Sequence, residues 1–232
     1  MAELLQATAA ALSLLFSADP VLWHIVGLSF SVTLRAVVFS APFAILVAFA
    51  LALGRFRGRR TLISTFNALM SLPAVVVGLS VYLVLSRSGP LGSLGLLFTQ
   101  PAMVIAQAIL IFPLLVAMAH GALQGAERRA WETALTLGAS RRRAMLTLLH
   151  EVRFGITAAL IAGFGRAISE VGCSLMVGGN IRGYTRNIPT AIALETSKGE
   201  FAQGIALGLV LLLLALALNL SLGLVQGKGE LR

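Results

Sequence analysis

The stretch WETALTLGAS, residues 131–140, is a polar island between long apolar segments, and arginines flank it on both sides. Three small or apolar residues recur at the spacing of one helical face: Ala130, Ala134 and Leu137. Gly138 is expected to end this helix, and Ser140 is placed to cap a second helix that begins at the arginine triplet 141–143. The stretch therefore predicts a short helix–turn–helix with a small, partly apolar exposed face.

Two interpretations of this helix–turn–helix are open from its periodicity alone. An exposed apolar face outside the bilayer fits a groove on a soluble partner. Alternatively, the segment is an amphipathic connector that its arginines hold to anionic lipid.

The composition of the chain places it in a membrane. Of its 232 residues, 58% are hydrophobic and only 12% are charged, and the mean hydropathy is +0.92. A soluble domain carries about 25% charged residues. The single cysteine, Cys173, excludes a disulfide within the chain.

Five apolar segments are long enough to cross a bilayer, and each is expected to be a helix because lipid cannot satisfy free backbone groups. The predicted spans cover residues 24–53, 62–86, 101–122, 154–178 and 202–225. Kinks are expected at Pro42, Pro73 and Pro113. Residues 1–20 contain an apolar run too short to span, which predicts a peripheral or interfacial helix that ends at Asp19-Pro20.

The formal charge of +9 reflects membrane orientation rather than nucleic-acid binding. Twelve of the 18 lysines and arginines fall in the loops on one side of the predicted spans and four on the other. Because positively charged loops stay in the cytoplasm, the N-terminus is predicted outside and the C-terminus inside. Arg35 and Arg166 are the two that remain within the spans.

The polar island resembles a motif of one transporter family. Glu132-Thr133-Ala134, three further residues and Gly138 are similar to the E-A-A-x3-G motif of ABC-importer permeases, although Leu148-Leu149-His150-Glu151 replaces the usual Ile-x-Leu-Pro tail. In that family the motif forms the coupling helix that docks into the ATP-binding subunit. The resemblance implies a coupling role for seven residues: Glu132, Thr133, Ala134, Leu137, Gly138, Ala139 and Ser140.

Three longer stretches are similar to the permease of tungstate-type ABC importers: residues 71–107, 164–172 and 176–208. The resemblance implies an all-α integral membrane protein with the five-helix, dimeric fold of type I ABC-importer permeases, like the molybdate and methionine permeases. Residues 21–232 would form the permease domain, with a cytoplasmic coupling loop at 123–153 and an external gate loop at 179–201. Tungstate import is the implied function, and a molybdate or sulfate permease is the alternative.

The same resemblance implies the partners. They are a second copy of the chain, two ATP-binding cassette subunits on the cytoplasmic face and an extracytoplasmic tungstate-binding protein in a bacterial or archaeal cell membrane. The chain has no G-x4-GK-[ST] phosphate loop, so ATP and magnesium are expected on the ATPase subunits and no cofactor on this chain.

Two sets of residues are candidates for the translocation path. Arg166 and Glu170 share a helical face, and they form either a gate that tolerates an oxyanion or a self-neutralising pair that fixes helix register. The outer loop offers glycine backbone amides and cationic or hydroxyl side chains: Gly178, Gly179, Asn180, Arg182, Thr185 and Arg186. These line an anion path or outer gate, or else they end the fourth helix and meet lipid or a partner protein.

Other function classes have weaker support. Gly78-Leu79-Ser80-Val81 resembles the nucleophile site of rhomboid-type intramembrane proteases, but His120, the candidate base, is expected at a different depth. A structural scaffold or an ATP-independent transporter is a further alternative, but neither function would explain the polar island 131–140. The three histidines have no metal-ligand spacing, so no metal site is predicted.

Overall fold

The structure is a computed structural model that describes residues 13, 16, 17, 19–125 and 128–230. Within these residues the chain forms ten α-helices: α1 (Pro20–Leu53), α2 (Arg59–Leu69), α3 (Ala74–Leu85), α4 (Gln100–Gly125), α5 (Arg128–Thr136), α6 (Arg141–Glu151), α7 (Arg153–Ile168), α8 (Gly172–Gly178), α9 (Ile188–Lys198) and α10 (Phe201–Glu230). One short 3-10 helix, Gly92–Leu94, lies between α3 and α4.

The longest helix, α1, has a defined start. Asp19 caps it by accepting a hydrogen bond from the Leu22 backbone N–H at 2.8 Å, and Pro20 occupies the first turn, where its missing N–H costs nothing. The helix therefore begins four residues before the predicted span and continues through Pro42. The expected peripheral helix before Asp19 lies largely outside the described residues.

Helix α4 is the centre of the bundle, because α1, α2, α3, α7 and α8 all pack against it. Its contacts with α1 extend from Ala102, near one end, to Leu123, near the other. The first half of α1 also packs against α9 and α10 through a separate buried apolar cluster that contains Leu22, Ile188 and Leu207. Helix α7 also packs against α10, so α1 and α7 both connect α9 and α10 to the rest of the bundle.

The second predicted span, 62–86, is not one helix. It separates into α2 and α3, which meet at an angle of 99°. The expected kink at Pro73 is therefore a full break, because Pro73 lacks a backbone N–H and stands at the N-cap of α3 in an extended conformation. Pro113, in contrast, lies within the continuous helix α4.

The fourth predicted span, 154–178, is also broken. Helix α7 ends at Ile168, and the seven-residue helix α8 starts at Gly172. Helices α3 and α8 then pack closely, since a Cβ added to Gly78 would lie 2.8 Å from the Cα of Cys173. Glycine at position 78 is thus required for these two short helices to approach.

Three helices of the described chain are long and apolar enough to cross a membrane: α1, α4 and the 201–218 part of α10. Up to five spans result if the bent pairs α2–α3 and α6–α7 each count as one. Part of the predicted outer loop 179–201 forms helix α9, with Ile188 and Ala191 buried against α1 and α10.

Candidate functional site

The elbow, defined as α5, α6 and the turn between them, has the helix–turn–helix geometry that its sequence predicts. Gly138 adopts a left-handed conformation with φ +81°. The backbone N–H of Ala139 donates to the carbonyl of Ala134 at 3.0 Å, and that of Gly138 to the carbonyl of Leu135 at 3.0 Å. This pattern is a Schellman motif, which ends α5 sharply. The Ser140 hydroxyl oxygen then accepts from the Arg143 N–H and caps α6.

The elbow is anchored on one face and open on the other. Ala144 and Leu148 of α6 are buried, and Trp131 and Met145 pack against the apolar cluster formed by α1, α4, α6 and α7. At the turn, the Leu137 side chain is 83% exposed. A rigid base therefore presents an uncovered apolar side chain at the tip.

Arg166 and Glu170 are brought together as predicted. Their Nη1 and Oε2 atoms lie 2.6 Å apart, and the Glu170 side chain is 10% exposed. The other carboxylate oxygen of Glu170 accepts hydrogen bonds from the backbone N–H groups of Gly172 at 2.9 Å and Cys173 at 3.4 Å. Glu170 thus neutralises Arg166 and satisfies the start of α8, which favours the structural pair over a free gate charge.

The outer loop is held by its own hydrogen bonds. Thr185 is fully buried, where its hydroxyl donates to the Gly178 carbonyl at 2.5 Å and accepts from the Ile181 N–H at 2.9 Å. Gly179 and Asn180 both have positive φ, at 67° and 51°, and the Asn180 amide donates to the Thr190 carbonyl. The predicted Thr185 hydroxyl is therefore engaged within the loop itself.

The two arginines of this loop differ. Arg186 is largely buried and lies 3.6 Å from Glu195, which also pairs with Lys198 at 3.3 Å. Arg182 is exposed, and both arginines line a cavity of about 250 Å³ beside the start of α1. Arg182 therefore differs from Arg186, because its side chain is exposed and pairs with no carboxylate among the described residues.

The protease pair is not assembled. Ser80 lies on α3, which packs against residues 102–110 of α4, and its hydroxyl donates to the Val76 carbonyl of its own helix. His120 lies ten residues beyond Leu110, about 15 Å along the helix. That separation exceeds hydrogen-bond reach between a nucleophile and a base.

The chain matches the family "Binding-protein-dependent transport system inner membrane component" over residues 40–228. The chain belongs to this family. The permease is 39% identical over 201 residues to the tungstate uptake system permease protein TupB of Peptoclostridium acidaminophilum, with 87% of this chain and 88% of that protein covered. It is 42% identical over 191 residues to a probable anion ABC transporter permease protein of Haloferax volcanii, with coverage of 80% and 82%.

A relative named for molybdenum transport is less similar. The molybdenum transport system permease protein ModB of Escherichia coli K12 is 34% identical over 188 residues, with 77% of the permease and 82% of ModB covered. Among solved structures, the permease is similar to an amino acid ABC transporter crystallised with histidines, with a TM-score of 0.65, 16% identity and coverage of 92% and 96%. This likeness shows the type I importer fold.

Sequence inspection missed two side chains that organise the permease. Gln107, 1% exposed, donates to the Ala167 carbonyl and the Ser174 hydroxyl at 3.3 Å each and accepts from Thr33 at 3.5 Å. The sequence feature that could have identified Gln107 is its amide side chain within an otherwise apolar span. Glu195 gave no comparable signal, since its partner Arg186 lies nine residues away across the start of α9.

A substitution at Gly138 tests the turn. Apart from its two chain neighbours, no atom of the described residues lies within 4 Å of an added Cβ, so backbone conformation is what opposes a side chain there. Gly138→Ala is expected to destabilise the turn by about 1–2 kcal/mol, because alanine disfavours positive φ. Hydrogen exchange of the Ala139 amide should accelerate roughly fivefold or more. Gly138→Asn, which tolerates this conformation, is the matched control, and equal exchange in both variants would contradict the assignment.

Proposed function

We propose that this chain is the transmembrane permease subunit of an ABC importer for tungstate. The observation that carries the proposal is the elbow, whose exposed tip is a ready contact for an ATPase subunit, in a chain of the binding-protein-dependent transport family. The 39% identity to a tungstate uptake permease, against 34% to a molybdenum permease, supports tungstate over molybdate.

The working assembly is a homodimer with the path on its two-fold axis. Two ATPase subunits, which hold ATP and magnesium, dock on the paired elbows, and a tungstate-binding protein delivers the anion to the outer loops. The chain itself contributes no catalytic residue and binds no cofactor. The excess of lysine and arginine in the loops on the elbow side supports a cytoplasmic elbow, an external N-terminus and a cytoplasmic C-terminus.

The roles within this assembly follow the geometry. Trp131 and Leu148 of the elbow pack in the same apolar cluster as residues of α1, α4 and α7. A movement of the ATPase subunit bound at the tip is therefore transmitted to these three helices. Arg166 and Glu170 act as a structural pair next to the path. Arg182, at the exposed outer loop, meets the arriving anion or the binding protein.

Reconstituted uptake tests the proposal. Vesicles that contain the permease with its ATPase subunits and binding protein are expected to accumulate labelled tungstate only when ATP is supplied on the elbow side. Unlabelled tungstate should compete at lower concentration than molybdate, and sulfate should be weakest. Equal uptake without the ATPase subunits would contradict an ABC importer, and stronger competition by molybdate or sulfate would reassign the substrate.

A further inference from the structure

Arg35 is a cation within a membrane span, and among the described residues it forms no ion pair with a carboxylate. Within the described part of the chain its guanidinium donates to three neutral oxygens: the Ser31 carbonyl at 3.0 Å, the Ser31 hydroxyl at 2.7 Å and the Gln100 amide oxygen at 2.9 Å. Gln100 is fixed in this orientation because its amide nitrogen donates to the Tyr184 carbonyl at 3.0 Å. The site therefore holds a positioned, uncompensated positive charge.

The depth of Arg35 matches a headgroup region. Leu53, at the other end of α1, precedes the arginine-rich turn 55–60, and the 18 residue steps from Arg35 to Leu53 extend about 27 Å. The hydrocarbon core of a bilayer is about 30 Å thick. The Arg35 side chain turns back toward Ser31, and by this length its guanidinium is expected at the polar boundary opposite the arginine-rich turn.

An apolar groove starts directly below this charge. It has a volume of about 340 Å³ and lies between Phe39 and Phe43 of α1 and Ile105, Ile109 and Phe112 of α4. Ser40 is the polar side chain in its lining, and its hydroxyl already donates to the Ala36 carbonyl at 2.6 Å. The lining of the groove therefore offers no free side-chain donor to a polar occupant.

The length of the groove corresponds to one acyl chain in one leaflet. Phe39 lies one helical turn inward from Arg35, about 6 Å, and Phe112 lies twelve residues inward from Gln100, about 18 Å. Half of the hydrocarbon core measures about 15 Å. A molecule with a phosphate at Arg35 and a hydrocarbon chain that points inward thus matches both parts of the site.

We propose that Arg35 and the groove below it form a binding site for a glycerophospholipid, with the phosphodiester on the Arg35 guanidinium and one acyl chain between α1 and α4. Gln100 positions the Arg35 guanidinium and does not line the groove that the acyl chain occupies. A free oxyanion would use the charge and leave the groove empty, and an apolar molecule without a phosphate would fill the groove and leave the charge unpaired. The phospholipid is the occupant that uses both features.

Native mass spectrometry of the full transporter complex in detergent tests the site. With added phosphatidylglycerol, the complex is expected to retain one lipid for each permease chain. Diacylglycerol with the same acyl chains, which lacks the phosphate, should be retained at least tenfold more weakly, a difference of about 1.4 kcal/mol. Arg35→Gln should lose phosphatidylglycerol to the same extent, whereas Arg35→Lys should keep most of it.

Two further variants separate the groove from the charge. Ile109→Trp, which fills the groove at a half-exposed position, should also release the lipid, and Leu213→Trp on the exposed face of α10 is its matched control. Arg87→Gln, an exposed cation in the loop before α4, is the charge control. Unchanged retention in both Arg35→Gln and Ile109→Trp would overturn the site, as would displacement of the lipid by tungstate or a change of oligomeric state in Ile109→Trp.

Discussion

Leu137→Glu is expected to abolish the association of the permease with its ATPase subunits. The Leu137 side chain is 83% exposed at the tip of the elbow, so in the proposed assembly it is the residue that enters the partner's groove. A carboxylate at the centre of an apolar contact should weaken binding by more than 100-fold, about 3 kcal/mol. Co-purification of the two subunits and stimulated ATP hydrolysis measure the loss.

The fold should survive this change, because Leu137 lies outside the buried clusters. Thr147→Glu adds the same charge to an exposed position of α6 and is the matched control. Leu137→Ala should give an intermediate loss, since it removes apolar area without adding charge. Normal ATPase association in Leu137→Glu would remove the elbow as the coupling element, whereas equal losses in both glutamate variants would indicate a general charge effect.

Glu170→Ala is expected to destabilise the permease by about 3 kcal/mol, the lower end of the range for breaking a buried ion pair. The lower end applies because the Arg166 side chain is 38% exposed. The loss has two sources: Arg166 loses its counter-charge, and the backbone N–H groups of Gly172 and Cys173 lose their acceptor. Thermal or denaturant unfolding of the purified complex measures it.

A matched series separates these two sources. Glu170→Gln keeps an oxygen that can accept from the N–H groups but removes the charge, so its stability should lie between those of the wild type and Glu170→Ala. The double variant Arg166→Met, Glu170→Met removes the unpaired cation and should recover much of the stability. If the double variant is stable and still imports tungstate, the pair is structural; if it is stable but inactive, the charges belong to the path.

The local geometry of the elbow could be predicted from sequence because its signals are local. Gly138 and Ser140 determine the conformation and hydrogen bonds of backbone groups within a few residues. The structure has the predicted turn at Gly138 and the predicted helix cap at Ser140. The breaks after Leu69 and Ile168 could not be predicted in the same way. Hydropathy counts apolar residues whether or not the helix through them is continuous, and Pro73 indicates a kink without fixing its angle.

The partners of buried polar groups were the other part that sequence did not supply. Gln107 bonds to residues 60 and 67 positions away, and the Ser29 hydroxyl accepts from the backbone N–H of Ile188, 159 positions away. Such pairs depend on how the helices pack. The Thr185 hydroxyl bonds instead to Gly178 and Ile181 of its own loop, and a role for Thr185 in the path stays a prediction.

The contact between α3 and α8 has a mechanical consequence. Their backbones meet at Gly78 and Cys173, and the start of α8 touches the start of α3, since a Cβ on Gly172 would lie 2.6 Å from the Val75 side chain. Helices α3 and α8, each a part of an interrupted span, are therefore packed too closely to slide past each other. We therefore expect α3 and α8 to move together when the permease changes conformation.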